Sequence, residues 1–91
     1  MPDLGQGHKQ VVAIVEKLIQ PLVDELNLKL VKIVYVKENN RWYLRVFIDK
    51  INEKVTLTDC EKLSRQISSL LDVHDPIPHA YIMEVSSPGI K

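Results

Sequence analysis

Apolar residues recur every three or four positions through the first third of the chain: Val11, Ile14, Leu18, Leu22 and Leu26. That period places them on one face of an amphipathic helix running from His8 to Leu26, its stripe widened by Val15, Ile19 and Val23. Pro21 falls inside this helix, where it removes one backbone donor and crowds the preceding turn. The apolar spacing runs through Pro21 unbroken, which favours a kinked single helix over a second helix starting there. Asn27 follows the last apolar position and suits a left-handed helix stop. The pattern then changes. Leu28–Lys37 (LKLVKIVYVK) is rich in branched residues and too broken by lysines to be a helix face, so it predicts a strand. Trp42–Asp49 (WYLRVFID) alternates strictly and predicts a second strand, joined to the first by a tight turn at Asn39-Asn40. With that loop, Tyr35 faces Leu44 and Ile33 faces Val46, while Lys32, Val34, Tyr43, Arg45 and Phe47 share the opposite face.

Helical spacing returns with Leu57, Cys60, Leu63, Ile67, Leu70 and Leu71. Thr58 with Glu61 three residues on can form a capping box, and Thr56 is the alternative cap. Asp75-Pro76-Ile77-Pro78 cannot continue a helix, so the chain turns there. Tyr81–Val85 alternates again, and Ser87-Pro88-Gly89-Ile90 has the residues of a type II turn. The order is helix, strand, strand, helix, strand: an α+β domain in which two helices cover one face of a three-stranded sheet. Residues 1–7, which hold two of the three glycines and no period, read as a flexible arm.

Composition narrows the function. Ninety-one residues make at most one domain, and 45% apolar with 26% charged residues is an ordinary globular balance. No apolar run is long enough for a membrane span, and no export signal is visible. The single cysteine, Cys60, excludes an internal disulfide framework, and together these features favour the cytoplasm. Twelve acidic and twelve basic side chains cancel overall, but Lys29 to Lys50 holds six bases against two acids. That segment can present a local positive field.

Catalytic and metal chemistry find no support. His8, His74 and His79 lack metal-ligand spacing to each other or to Cys60, which falls on the apolar stripe of the second helix. Ser86 and Ser87 have no partner base at a recognisable offset, and there is no glycine-rich phosphate loop. The open sheet face is the stronger candidate. Tyr43 and Phe47 could stack on unpaired bases while Lys32 and Arg45 contact phosphates. The plainer reading has the aromatics covering the sheet, with Arg45 paired to Glu84 or Asp49 across strands. The polar face of the second helix (Asp59, Glu61, Lys62, Arg65, Gln66) reads first as a solvated surface and second as a partner surface.

The stretch from Val55 to Lys91, above all Tyr81–Gly89 with Asp59-Cys60 and Ser64-Arg65, resembles the N-terminal domain of the bacterial ribosome maturation factors of the RimP family. The proline-interrupted first helix, LKLVKIVYV and LRVFIDK extend the resemblance over residues 8–91. It implies a two-layer α/β sandwich of α-β-β-α-β order with a topology like KH-type domains. It further implies a non-catalytic, cofactor-free factor for small-subunit assembly, which binds immature-subunit rRNA and protein near ribosomal protein twelve. The G-x-x-G loop of KH-type RNA binders is missing here, so that mode of RNA gripping is not expected. Family members continue past the turn into a small SH3-like domain, whereas this chain stops at Lys91, so an excised first domain is expected. Ser86, Ser87, Pro88 and Gly89 would then form the joint to that second domain. Lys32, Arg41, Arg45 and Lys50 are the expected phosphate contacts, with Tyr43 or Phe47 stacking. The rival expectation is a protein-interaction module with no direct RNA contact, its open face packed on a partner protein or on the second domain.

Overall fold

The computed structural model describes residues 4–87, with side chains from Lys9 onward. Five elements follow in the expected order: α1 (Leu4–Glu25), β1 (Lys29–Glu38), β2 (Arg41–Asp49), α2 (Leu57–His74) and β3 (Tyr81–Ser86). The sheet order is β1-β2-β3, β1 and β2 pairing antiparallel and β2 and β3 parallel. The central strand is therefore β2, and among the described residues both flanking strands are edges. α1 packs on β1, α2 packs on β3, and the helices pack on each other over one face of the sheet.

α1 starts at Leu4, four residues ahead of the periodic segment, and continues through Pro21 as one element. Its deepest row is Val11, Val15, Ile19 and Val23, three of them expected only to widen the stripe, while Ile14, expected in the main stripe, is 46% exposed. This i, i+4 row lies on one face of the helix and joins the buried core, with Leu18, Leu22 and Leu26 packed partly against it. Asn27, at φ 58°, ends the helix in the left-handed region. Leu28 N–H donates to the Val23 carbonyl at 2.9 Å and Asn27 N–H to that of Asp24 at 3.0 Å, closing the last turn as a Schellman motif with Leu28 buried behind it.

Asn39 and Asn40 take φ of 51° and 63°, which makes the hairpin a type I′ turn whose twist matches the strands. Tyr35 opposes Leu44 and Ile33 opposes Val46, as the loop length dictates. Beyond Lys32 the register slips by one at Val31. This bulge turns Leu30 inward opposite Ile48 and leaves Val31 46% exposed. Leu44, Val46 and Ile48 on β2 are fully buried against Leu63, Ile67 and Leu71 of α2 and the α1 row.

The cap of α2 is Thr56, not Thr58. Asp59 N–H donates to Thr56 Oγ1 at 3.1 Å, and Thr56 N–H donates to Asp59 Oδ2 at 2.9 Å. A short Asp at the third helical position closes the box, so Glu61 is left outside it. Leu57, counted among the apolar stripe, opens the helix and is 69% exposed. Cys60 is buried, and burial together with the Asp59 charge pushes its thiol pKa up. Asp75, left-handed at φ 46°, ends α2 by donating its N–H to the Leu71 carbonyl at 2.7 Å.

Candidate functional site

The face of the sheet away from the helices gathers side chains in three cross-strand rows. Reading from β1 to β3, they are Val36–Tyr43–Ile82, Val34–Arg45–Glu84 and Lys32–Phe47–Ser86. Strict alternation on β2 and β3 makes this face inevitable once Leu44 and Met83 are turned toward the helices. It is partly apolar and open: Tyr43, Phe47, Val34 and Val36 are half-buried, and Ile82 is 39% exposed.

Arg45 organises the middle of it. Its Nε donates to Glu84 on β3 at 2.8 Å, and its two terminal nitrogens donate to both Glu38 oxygens on β1 at 3.0 and 3.1 Å. One guanidinium thus ties the three strands together through a bidentate and a single contact. It also lies 4.8 Å from the centre of the Tyr43 ring. The hydrogen bond and charge of Arg45 hold the Glu38 carboxyl below its ordinary range, and the two carboxylates raise Arg45 further above its own. The cross-strand reading of Arg45 is therefore the observed one for Glu84, and Glu38 is a partner that sequence reasoning missed. Only the roll of the side chain along β2 over Tyr43 brings Glu38 within reach, and that is invisible in the residue spacing.

Lys32 stands over Phe47, its Nζ 5.2 Å from the ring centre. Arg41 is exposed at the hairpin end of the same face, opposite Glu38. Lys32, Arg41, Tyr43, Arg45 and Phe47 are thus brought together. Lys50 is not. It follows β2, and its Nζ meets Asp59 Oδ2 at 3.1 Å, beside the α2 cap. Backbone donation from Thr56, then Lys50, holds the Asp59 carboxyl below its ordinary range. Register places Lys29, Lys32, Arg41 and Arg45 on the open face with Glu38, Asp49 and Glu84. The local excess of four positive charges in the sequence shrinks there to one.

The covered end of the sheet carries a feature with no sequence signal. Tyr35, Trp42 and His79 stack in succession, each pair of ring centres 4.7 Å apart. His79 lies 2° from parallel with the indole, pinning the Pro76–Ala80 connection to β2. Of the expected joint, Ser86 ends β3 exposed and Ser87 is buried, while Pro88, Gly89 and their turn lie outside the described residues. Among the described residues, no group of three or more His, Cys, Asp or Glu is placed to hold a metal ion. No helix among them is long and apolar enough to cross a membrane.

These features define a small α+β domain whose exposed sheet face is mixed aromatic and ionic. The family model of the RimP N-terminal domain matches residues 18–91, from the middle of α1 to the last residue. The chain belongs to that family, whose members are non-catalytic ribosome maturation factors associated with the small subunit.

Proposed function

We propose that this domain docks on the immature small ribosomal subunit through its open sheet face, contacting rRNA and a neighbouring protein. The observation that carries the reading is the juxtaposition of Tyr43 and Phe47 with Lys32 and Arg41 on an uncovered face. Lys32 and Arg41 pair with no carboxylate among the described residues, so they remain available to phosphates. Tyr43 and Phe47 supply flat surfaces for an unpaired base. Arg45, engaged with Glu38 and Glu84, positions Tyr43 and contributes less to phosphate binding. Lys50 supports the α2 cap. Cytoplasmic location, proximity to ribosomal protein twelve, and a joint at Ser86–Gly89 to a second domain belong to the same reading.

The near balance of charge on this face favours a second reading, in which it packs on a protein and touches no RNA. Sedimentation of the domain with immature subunits over a range of salt separates them. RNA contact predicts that log affinity falls with log salt, each phosphate adding about 0.7–0.9 to the slope, and that Lys32→Ala removes about one such step. A salt-independent affinity that Tyr43→Ala abolishes and Lys32→Ala leaves alone would establish the protein reading.

A further inference from the structure

The two edges of the sheet are protected very differently. β1 carries the Val31 bulge and Lys29, Lys32 and Lys37, devices that discourage another strand from pairing. β3 has none of them. Tyr81–Ser86 (YIMEVS) contains no proline, lysine or bulge, and among the described residues nothing pairs with its far side. Its inward residues Tyr81, Met83 and Val85 are only half-buried, whereas their β2 neighbours Leu44 and Val46 are fully buried.

α2 supplies a wall above this edge. Cys60, Leu63, Ile67 and Leu71 point into the core, and Gln66, Leu70 and Val73 turn toward Leu22 of α1. Leu57, Glu61, Ser64, Ser68 and Asp72 form a third stripe, at helical spacing, on the side away from α1. Two cavities lie along the boundary between that stripe and β3. One, of about 390 Å³, is bounded by Leu57, Glu61, Ser64, Arg65 and Val85. The other, of about 720 Å³, is bounded by Ser68, Asp72, Asp75, His79, Tyr81 and Met83. Among the residues bounding these cavities, Glu61, Asp72 and Asp75 stand against Arg65 and the imidazole of His79, and the C-terminal end of the α2 dipole adds to the negative field. The charges of Asp72 and Asp75 reach the Tyr81 phenol, whose pKa burial and these carboxylates raise.

We propose that the α2–β3 cleft receives an extended basic segment of a partner protein, which adds to the sheet as a fourth strand on the free edge of β3. Main-chain hydrogen bonds to β3 provide the affinity, and alternate side chains fill the cavities under α2. Basic side chains meet Glu61, Asp72 and Asp75; an RNA strand would meet the same carboxylates and be repelled. The site is separate from the open face and does not depend on how that face is used.

A short capped peptide of alternating lysine and valine, titrated into the 91-residue chain, tests this. Nuclear magnetic resonance should show shifts along Tyr81–Ser86 and the Leu57–Asp72 stripe, with slowed hydrogen exchange of the β3 amides. A peptide with glutamate for lysine should bind at least about tenfold more weakly, as should one whose central valine is proline, which cannot donate to the edge. Glu61→Lys and Asp72→Lys, both on exposed α2 positions, should each weaken the lysine peptide several-fold without altering the circular dichroism of the free chain. Equal binding of the lysine and glutamate peptides, equal binding of the proline peptide, shifts confined to the Tyr43–Phe47 face, or no shift at millimolar peptide would overturn the proposal. Preferential binding of a single-stranded RNA oligomer in this cleft would also overturn it.

Discussion

Single residues carry most of the local decisions in this domain, and five of them, none a glycine, sit at positive φ where the chain must turn: Asn27, Asn39, Asn40, Asn52 and Asp75. A branched residue in that region costs about 1–2 kcal/mol, so Asn40→Val should lower unfolding stability in urea by that amount while Asn40→Gly leaves it unchanged or raised. Thr56→Ala removes a reciprocal cap, and a loss of about 1 kcal/mol is expected in the same measurement. The partner in that cap also sets a pH dependence. The Asp59 carboxyl is depressed from its ordinary 3.8, so its contribution is complete above that value and lost as pH falls through the lower folded-state value. Urea unfolding followed by circular dichroism should therefore show wild-type stability falling as pH drops below 3.8, whereas the profile of Asp59→Asn, which has no carboxylate there to protonate, should be flatter in the acid range. An unchanged profile would remove the Thr56–Asp59–Lys50 cluster from the account of acid sensitivity.

At the scale of elements, the alternation of Trp42–Asp49 against the helical spacing of Cys60, Leu63, Ile67 and Leu71 made the strand and helix assignments and their order readable before any coordinates. So was the hairpin register, because a two-residue loop permits only one set of opposing pairs. What spacing could not reveal were choices made between elements: the bulge at Val31, the parallel placement of β3 beside β2, and the row of α1 that faces the sheet. The candidate face follows the same rule. Lys32, Tyr43, Arg45 and Phe47 share it by parity alone, but the bond from Arg45 to Glu38 and the departure of Lys50 toward Asp59 depend on side-chain reach across elements. The packing makes its own prediction. Leu63 and Ile67 are fully buried beneath α2, and truncating either to alanine should cost about 2–5 kcal/mol in urea unfolding. Pro21, exposed within α1, gives no N–H to the preceding turn, so Pro21→Ala should raise stability and not lower it.

For the whole molecule, the helices close one face of the sheet and, among the described residues, leave the other face and the β3 edge uncovered. A neutral chain thereby presents two surfaces of different character. The open face offers aromatic rings with Lys32 and Arg41, and the α2–β3 boundary offers carboxylates beside the outer edge of β3. Such a division suits a domain of a maturation factor associated with the small ribosomal subunit. The most direct test of the central claim is co-sedimentation of this domain with immature and mature small subunits across a salt series, comparing wild type, Lys32→Ala and Tyr43→Ala. The account predicts preference for the immature particle, affinity that falls with salt, a shallower slope for Lys32→Ala, and weaker binding for Tyr43→Ala at every salt concentration. Binding that is independent of salt and indifferent to both substitutions would contradict it.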